Sequence, residues 1–153
     1  MRQIEPLINK EQTGRRMKQL VGRFARDLDR VRVRVGGRSK RFSALNPLEV
    51  HEVVRNIPYR KDTEPVEVIA RPARLLNGEF RSLDCKKKAI LIGAWAARRG
   101  YPFKFIAASK RPDRKFHHVF PVVRLRGEWV NMDATYANMR PGTTKTGTAF
   151  EEL

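Results

Sequence analysis

The chain has 153 residues, with 33 Lys and Arg against 16 Asp and Glu, for a formal net charge of +17. That length suits one domain around one core, no apolar run approaches the roughly 20 residues of a membrane span, and the polar start MRQIEPLINKEQ lacks the basic-then-apolar pattern of a signal peptide. A single cysteine excludes an internal disulfide, and one cysteine with three histidines offers no zinc-ligand spacing, so chemistry without a metal or other cofactor is expected.

The charge excess raises affinity for polyanions by counterion release, whatever the fold beneath it. Nucleic acid, anionic protein surfaces and anionic cell-wall polymers are the candidate partners. The excess is uneven. Between Arg15 and Arg41 stand eleven Lys or Arg against two Asp, a local excess of nine. Arg15, Arg16, Lys18, Arg23, Arg30, Arg38, Lys40 and Arg41 are therefore candidates for polyanion contact.

In chain order, Leu20, Val21, Phe24, Leu28 and Val31 recur at helical spacing and predict an amphipathic helix from Arg15. Val31 to Val35 then alternates with period two before Gly36-Gly37, so the helix either frays or gives way to a short strand; an end near Arg34 is the preferred reading. Asn46-Pro47 reads as a cap and first helical position, followed by Leu48, Val50, Val53, Val54 and Ile57, and this second helix must end before Pro58. From Tyr59 to Phe80 the composition is loop-like, with Val66-Glu67-Val68-Ile69 as its one cohesive piece, and a connection that long in a small domain is often functional.

The connection leads to Leu83-Asp84-Cys85-Lys86-Lys87-Lys88 and the apolar run from Ala89 to Ala97. The lone cysteine thus stands at the start of a helix that is apolar all round and must be surrounded by other elements. Arg98-Arg99, Gly100 and Pro102 end that helix. At a helix N-terminus the partial positive charge and unpaired N–H groups favour thiolate over thiol, so Cys85 is either a nucleophile or a small apolar residue packed under the helix. The lysines after it strengthen the thiolate and could draw in an anionic substrate, with Lys86 the nearest.

Phe103 to Ala107 alternates as a strand, Phe116 to Leu125 forms a second, and Glu128 to Asp133 a third after a turn at Arg126-Gly127. Helices first and an antiparallel meander after them make an α+β fold. A two-residue loop at Arg126-Gly127 sets Leu125 opposite Glu128, and counting back puts His118 and Asp133 on one sheet face as diagonal neighbours. His117 falls on the other face, and a three-residue loop would exchange the two. Pro121 cannot donate to a ladder, so the strand is at an edge there or bulged. The residues after Tyr136 have little to bury and are expected to be mobile, or ordered by a partner.

A thiolate nucleophile needs a base to share its proton and a third group to orient that base. Cys85, His118 and Asp133, in that order across a buried helix and a meander, resemble the transglutaminase-like cysteine enzymes of the papain-like superfamily. The similarity is greatest to small phage and bacterial members and spans roughly Pro47 to Tyr136. It is carried by Ile57-Pro58-Tyr59 with Asp62, Glu67-Val68-Ile69-Ala70-Arg71-Pro72, Asp84-Cys85, His118-Val119-Phe120, Gly127, Trp129 and Asp133-Ala134-Thr135.

The resemblance implies a papain-like fold with Cys85 as nucleophile, His118 as general base and acid, and Asp133 as its orienter. Tyr59, Lys86, His117 and Trp129 are then candidates for oxyanion or substrate contact, beside the backbone N–H of Cys85. It further implies a protein or peptide substrate and a phage or bacterial setting, in host cytoplasm or virion. The implied organisation is a basic helical arm over 1–45, a transglutaminase-like core over 46–136 and a flexible tail over 137–153. The rival reading is a non-catalytic basic virion protein that keeps this fold and holds DNA or an acidic protein partner.

Overall fold

The computed structural model describes residues 3–5, 10–60, 67–69, 72–76, 82–109, 118–142 and 149–153. Its elements in chain order are β1 (Gln3–Glu5), α1 (Lys10–Phe24), a 3-10 turn (Ala25–Arg30), β2 (Arg32–Val35), β3 (Arg38–Arg41), a second 3-10 turn (Phe42–Ala44), α2 (Pro47–Arg55), β4 (Glu67–Ile69), α3 (Pro72–Leu75), α4 (Cys85–Arg99), β5 (Phe103–Ser109), β6 (His118–Leu125), β7 (Glu128–Asn131) and β8 (Ala149–Glu152). The fold class is α+β, with antiparallel strand pairing throughout the named sheets. Among the described residues no helix is long and apolar enough to cross a membrane.

Helix α4 is the axis of the molecule. Asp84 caps its start by accepting from the Lys87 amide at 2.9 Å, and Gly100 closes it in the left-handed conformation at φ 78°. Every residue from Lys87 to Ala96 is buried, as the all-round apolar sequence requires. On one side α4 lies against the four-stranded sheet, whose order is β7-β6-β5-β8. The approach is close: a Cβ on Gly93 would stand 2.8 Å from Phe105 Cζ, so only glycine lets the helix backbone meet that ring. On the other side it is covered by α1, α2 and the two 3-10 turns, and Trp95 Nε1 donates to Leu45 O at 2.8 Å.

The meander runs in the register that a two-residue loop dictates. Arg126 and Gly127 both take positive φ, Leu125 pairs with Glu128, and the ladder continues to Val122 opposite Asn131. Pro121 sits on the inner strand β6, at neither an edge nor a bulge. Its carbonyl accepts from Met132 N at 2.9 Å, so its missing N–H also faces the β7 side, where the ladder has already ended at Asn131. No bond to β5 is lost.

Three expectations change. The first helix ends at Phe24, and Val31 to Val35 does not prolong it: β2 and β3 form a hairpin through Gly36-Gly37, both at positive φ. Alternating Val33 and Val35 pack on the core while the arginines between them point outward, which a strand permits and a helix does not. The 1–45 segment is also less detached than an arm: Met17, Leu20, Val21, Leu28, Phe42 and Leu45 share one buried cluster with Ile90, Leu91, Phe105 and Val123. Within 137–153, Ala149–Glu152 form β8 on the free edge of β5, and Leu153 N donates to Phe105 O at 2.9 Å. Four residues carry too short a pattern to announce a strand; an open sheet edge recruits them.

Candidate active site

The site gathers where three elements end. Cys85 is the first residue of α4, His118 opens β6, and Asp133 follows the last residue of β7 by two. All three are buried, with Cys85 6% and His118 7% exposed. His118 Nε2–H donates to Asp133 Oδ2 at 2.6 Å. The Cys85 side chain adjoins the His118 ring and favours its protonated form, and with Nε2 committed to the carboxylate, Nδ1 is the nitrogen left for the sulfur.

Electrostatics follow from that placement. Burial opposes a charged imidazole, but the hydrogen bond and charge of Asp133 and the neighbouring Cys85 side chain outweigh it, and His118 is pushed up to about 9. Burial likewise opposes a charged Asp133, yet the bonds from His118 and Thr135 hold its carboxyl below the usual range. At neutral pH the pair is imidazolium and carboxylate, the state that leaves a proton on the ring nitrogen facing the sulfur.

Asp133 is fixed from every side. Its Oδ1 accepts from Thr135 N at 3.1 Å and Thr135 Oγ1 at 2.5 Å. Its backbone carbonyl accepts from His51 Nε2–H at 2.8 Å, and burial keeps that ring neutral by pushing His51 below its ordinary range. The next two carbonyls, Ala134 O and Thr135 O, accept from Lys88 Nζ at 3.2 and 2.9 Å, and Arg55 O lies at 3.4 Å. Burial pushes Lys88 down to about 8, opposed by the Asp133 charge.

His51, Lys88 and Thr135 were not singled out in the sequence. A signal was present for two of them. Asp133-Ala134-Thr135 has the side-chain-to-amide spacing of a local Asp turn, and Lys88 stands one turn after Cys85, directly before the apolar run. His51 carried none, because its partner is eighty-two positions away.

Of the other candidates, Tyr59 joins the site. Pro58 to Arg60 lies alongside Leu83, with Leu83 N donating to Pro58 O at 2.9 Å and Arg60 N to Leu83 O at 3.1 Å. This sets Tyr59, 37% exposed, beside Cys85 and against Tyr136 at 5.0 Å between ring centroids. Burial first, then the Cys85 and Tyr136 neighbours, push its hydroxyl up to about 12, so it keeps its proton as a donor.

The lysine run is not a solvent-facing cationic lure. Lys86 and Lys87 turn back to the Asp84 carboxylate, at 3.5 and 3.7 Å, and Lys88 is buried on carbonyls. Trp129 stays away from the site, at the turn end of β7 some four residues or about 13 Å along the strand from Asp133, with Lys104 Nζ 4.5 Å from its ring centroid. His117 and Asp62 lie outside the described residues.

The basic candidates divide. Arg15 and Lys18 on α1 line one hollow with Glu11, Glu151 and Glu152, Arg16 donates to Gln19 Oε1 at 3.3 Å, and Arg23 ends the same helix. Arg30 closes the first 3-10 turn, whereas Arg38, Lys40 and Arg41 belong to the β2–β3 hairpin, Lys40 paired to Glu49 at 2.6 Å.

No protein-family model matches the chain, and no curated protein matches it. A crystal structure from Cytophaga hutchinsonii, described as a candidate cysteine protease, resembles it with a TM-score of 0.46 and 16% identity. The likeness covers 81% of this chain and 38% of that one, so the chain spans well under half of that protein's length. The chemistry of the site rests on its own geometry.

Proposed function

We propose that this chain is a thiol-dependent hydrolase of peptide-like amides, built in the manner of the transglutaminase-like cysteine enzymes that its residue order resembles. One observation carries the reading: the His118 ring is hydrogen-bonded to a buried carboxylate and adjoins a cysteine at a helix N-terminus.

In this reading the Cys85 thiolate attacks the amide carbonyl carbon, and the C–O electron pair moves onto oxygen. The backbone N–H of Cys85, in the first helical turn where amides lack intrahelical partners, stabilises that oxyanion, with the Tyr59 hydroxyl as second donor. The His118 imidazolium gives its Nδ1 proton to the leaving amine nitrogen, the C–N bond breaks, and a thioester remains. A water then loses its proton to His118 and attacks the thioester, and the thiolate leaves with the acid product. Asp133 holds the ring in the required tautomer throughout. Thr135, His51 and Lys88 position Asp133 without touching substrate. Water is the default acceptor, because nothing in the sequence marks a dedicated amine site.

The test needs no known substrate. Iodoacetamide should alkylate Cys85 at neutral pH faster than it alkylates glutathione, and His118→Ala should abolish the difference while circular dichroism stays unchanged. Hydrolysis of a fluorogenic peptide library should vanish in Cys85→Ala. Alkylation at the glutathione rate, indifferent to His118→Ala, overturns the proposal.

A further inference from the structure

The β2–β3 ribbon carries five basic side chains in ten residues, Arg32, Arg34, Arg38, Lys40 and Arg41, and no acidic one. Its register sets Arg32 opposite Arg41, Val33 opposite Lys40, Arg34 opposite Ser39 and Val35 opposite Arg38. Residues directly opposite share a face. Val33 and Val35 pack on the core, so Arg32, Arg34 and Arg41 share the outward face with Ser39, and all four are exposed.

Arg32 and Arg41 are therefore like charges directly across a ladder, an arrangement that destabilises an isolated ribbon. The acid nearest in the hydrogen-bond network, Glu49, is taken by Lys40 on the inner face. Two of the outward guanidiniums are braced as well. Arg32 donates from Nε to Ser39 Oγ at 2.8 Å and from a terminal nitrogen to Ser39 O at 3.0 Å, and Arg34 donates to Gly37 O at 3.2 Å. A guanidinium has five N–H groups, so several remain on each, already oriented and with less side-chain freedom to lose on binding.

We propose that this outward face is a docking surface for the phosphate backbone of a nucleic-acid duplex, with Arg32, Arg34 and Arg41 as its contacts. Planar guanidinium forks suit phosphate oxygens, and a row of them in which the carboxylate near Arg41, Asp29, is already bound by Arg98 meets a polyanion better than it meets a mixed-charge protein surface. The face has no aromatic or aliphatic side chain to anchor a protein partner or to enter a lipid interface. Lacking aromatics it has no platform for stacked single-strand bases, so the contact is to the duplex backbone. Helix α1 does not share this character, because its Arg15 and Lys18 stand among Glu11, Glu151 and Glu152.

The test compares equal changes of charge in two places. Binding to a duplex of about thirty base pairs is followed by fluorescence anisotropy between about 50 and 200 mM salt. Arg32→Gln/Arg34→Gln/Arg41→Gln should reduce the slope of log K against log salt by about 2.7 and weaken binding more than tenfold at the low-salt end. Arg15→Gln/Lys18→Gln/Arg23→Gln should change the slope by less than about one. Cys85 alkylation should be unaffected in both. If the hairpin triple variant fails to fold, Arg34→Gln alone should remove about one unit of slope. Equal losses from the two triples, no binding by the wild type, an unchanged slope in Arg34→Gln, or equal competition by polyglutamate or phosphatidylserine vesicles overturns the proposal.

Discussion

The Cys85 site and the β2–β3 ribbon both collect charge, and they handle it in opposite ways. In the site, each charged group has a partner: Asp133 meets His118, Lys88 meets three carbonyls, and Lys86 and Lys87 meet Asp84. On the ribbon, Arg32 faces Arg41 across the ladder, and the acid near Arg41, Asp29, is bound by Arg98 instead. The difference follows from solvent. A buried charge without partners costs several kcal/mol, so burial enforces pairing, whereas water screens an exposed like-charge pair to a small penalty. Charge left unpaired at the surface is free to meet something else.

The largest break in that comparison comes from the site. Removing His118 or Asp133 should lower turnover by about 10²–10⁴, measured as kcat/KM on any peptide that the wild type cleaves. Asp133→Asn should preserve the fold yet lose most of the rate, because an amide no longer holds the imidazolium.

Next is Gly93→Ala. The added methyl meets Phe105 Cζ at 2.8 Å inside the core, and the overpacking should cost about 1–3 kcal/mol in denaturant unfolding. An unchanged midpoint would mean that the Phe105 ring has room to turn.

Lys88→Met is of similar size and tells more. It leaves the Ala134 and Thr135 carbonyls short of a donor, at about 1–3 kcal/mol. If Lys88 positions Asp133, the variant should also slow Cys85 alkylation and shift its pH profile, which a merely structural lysine would not do.

The pH dependence is smaller. His118 is raised from 6.5 to about 9, so the folded state holds this proton more tightly than the unfolded chain does. Its stabilisation is complete below about 6.5 and is lost as pH rises through 9, and urea midpoints should fall across that window in the wild type but not in His118→Asn. Hydrolysis should decline through the same upper limit as the proton for the leaving amine is lost. The smallest effect on stability is expected at the ribbon, where neutralising Arg34 should change the midpoint by no more than about 0.5 kcal/mol while changing salt-dependent binding.

Much of the site was legible because its placement is local chemistry repeated three times. The Asn46-Pro47 start, the Gly100 stop and the two-residue turn at Arg126-Gly127 fix helix ends and strand register from neighbouring residues alone. That register puts His118 and Asp133 on one face, and the structure joins them at 2.6 Å. The alternation of Val31 to Val35 was legible too, but its reading was not: five residues fit the end of a helix as readily as a strand until the valines have a core to cover.

By itself, then, the sequence determined the buried helix α4 with a cysteine at its head, the meander and its register, and an excess of positive charge near the N-terminus. Only the tertiary structure decided that His51 and Lys88 brace Asp133, that the lysines after Cys85 turn inward, and that Arg32, Arg34 and Arg41 share the outward face of β2–β3. The physical reason is one of range. Caps, turns and periodicity act over a few residues and are written in order along the chain, whereas the partner of a buried charge is chosen by packing among residues far apart in sequence.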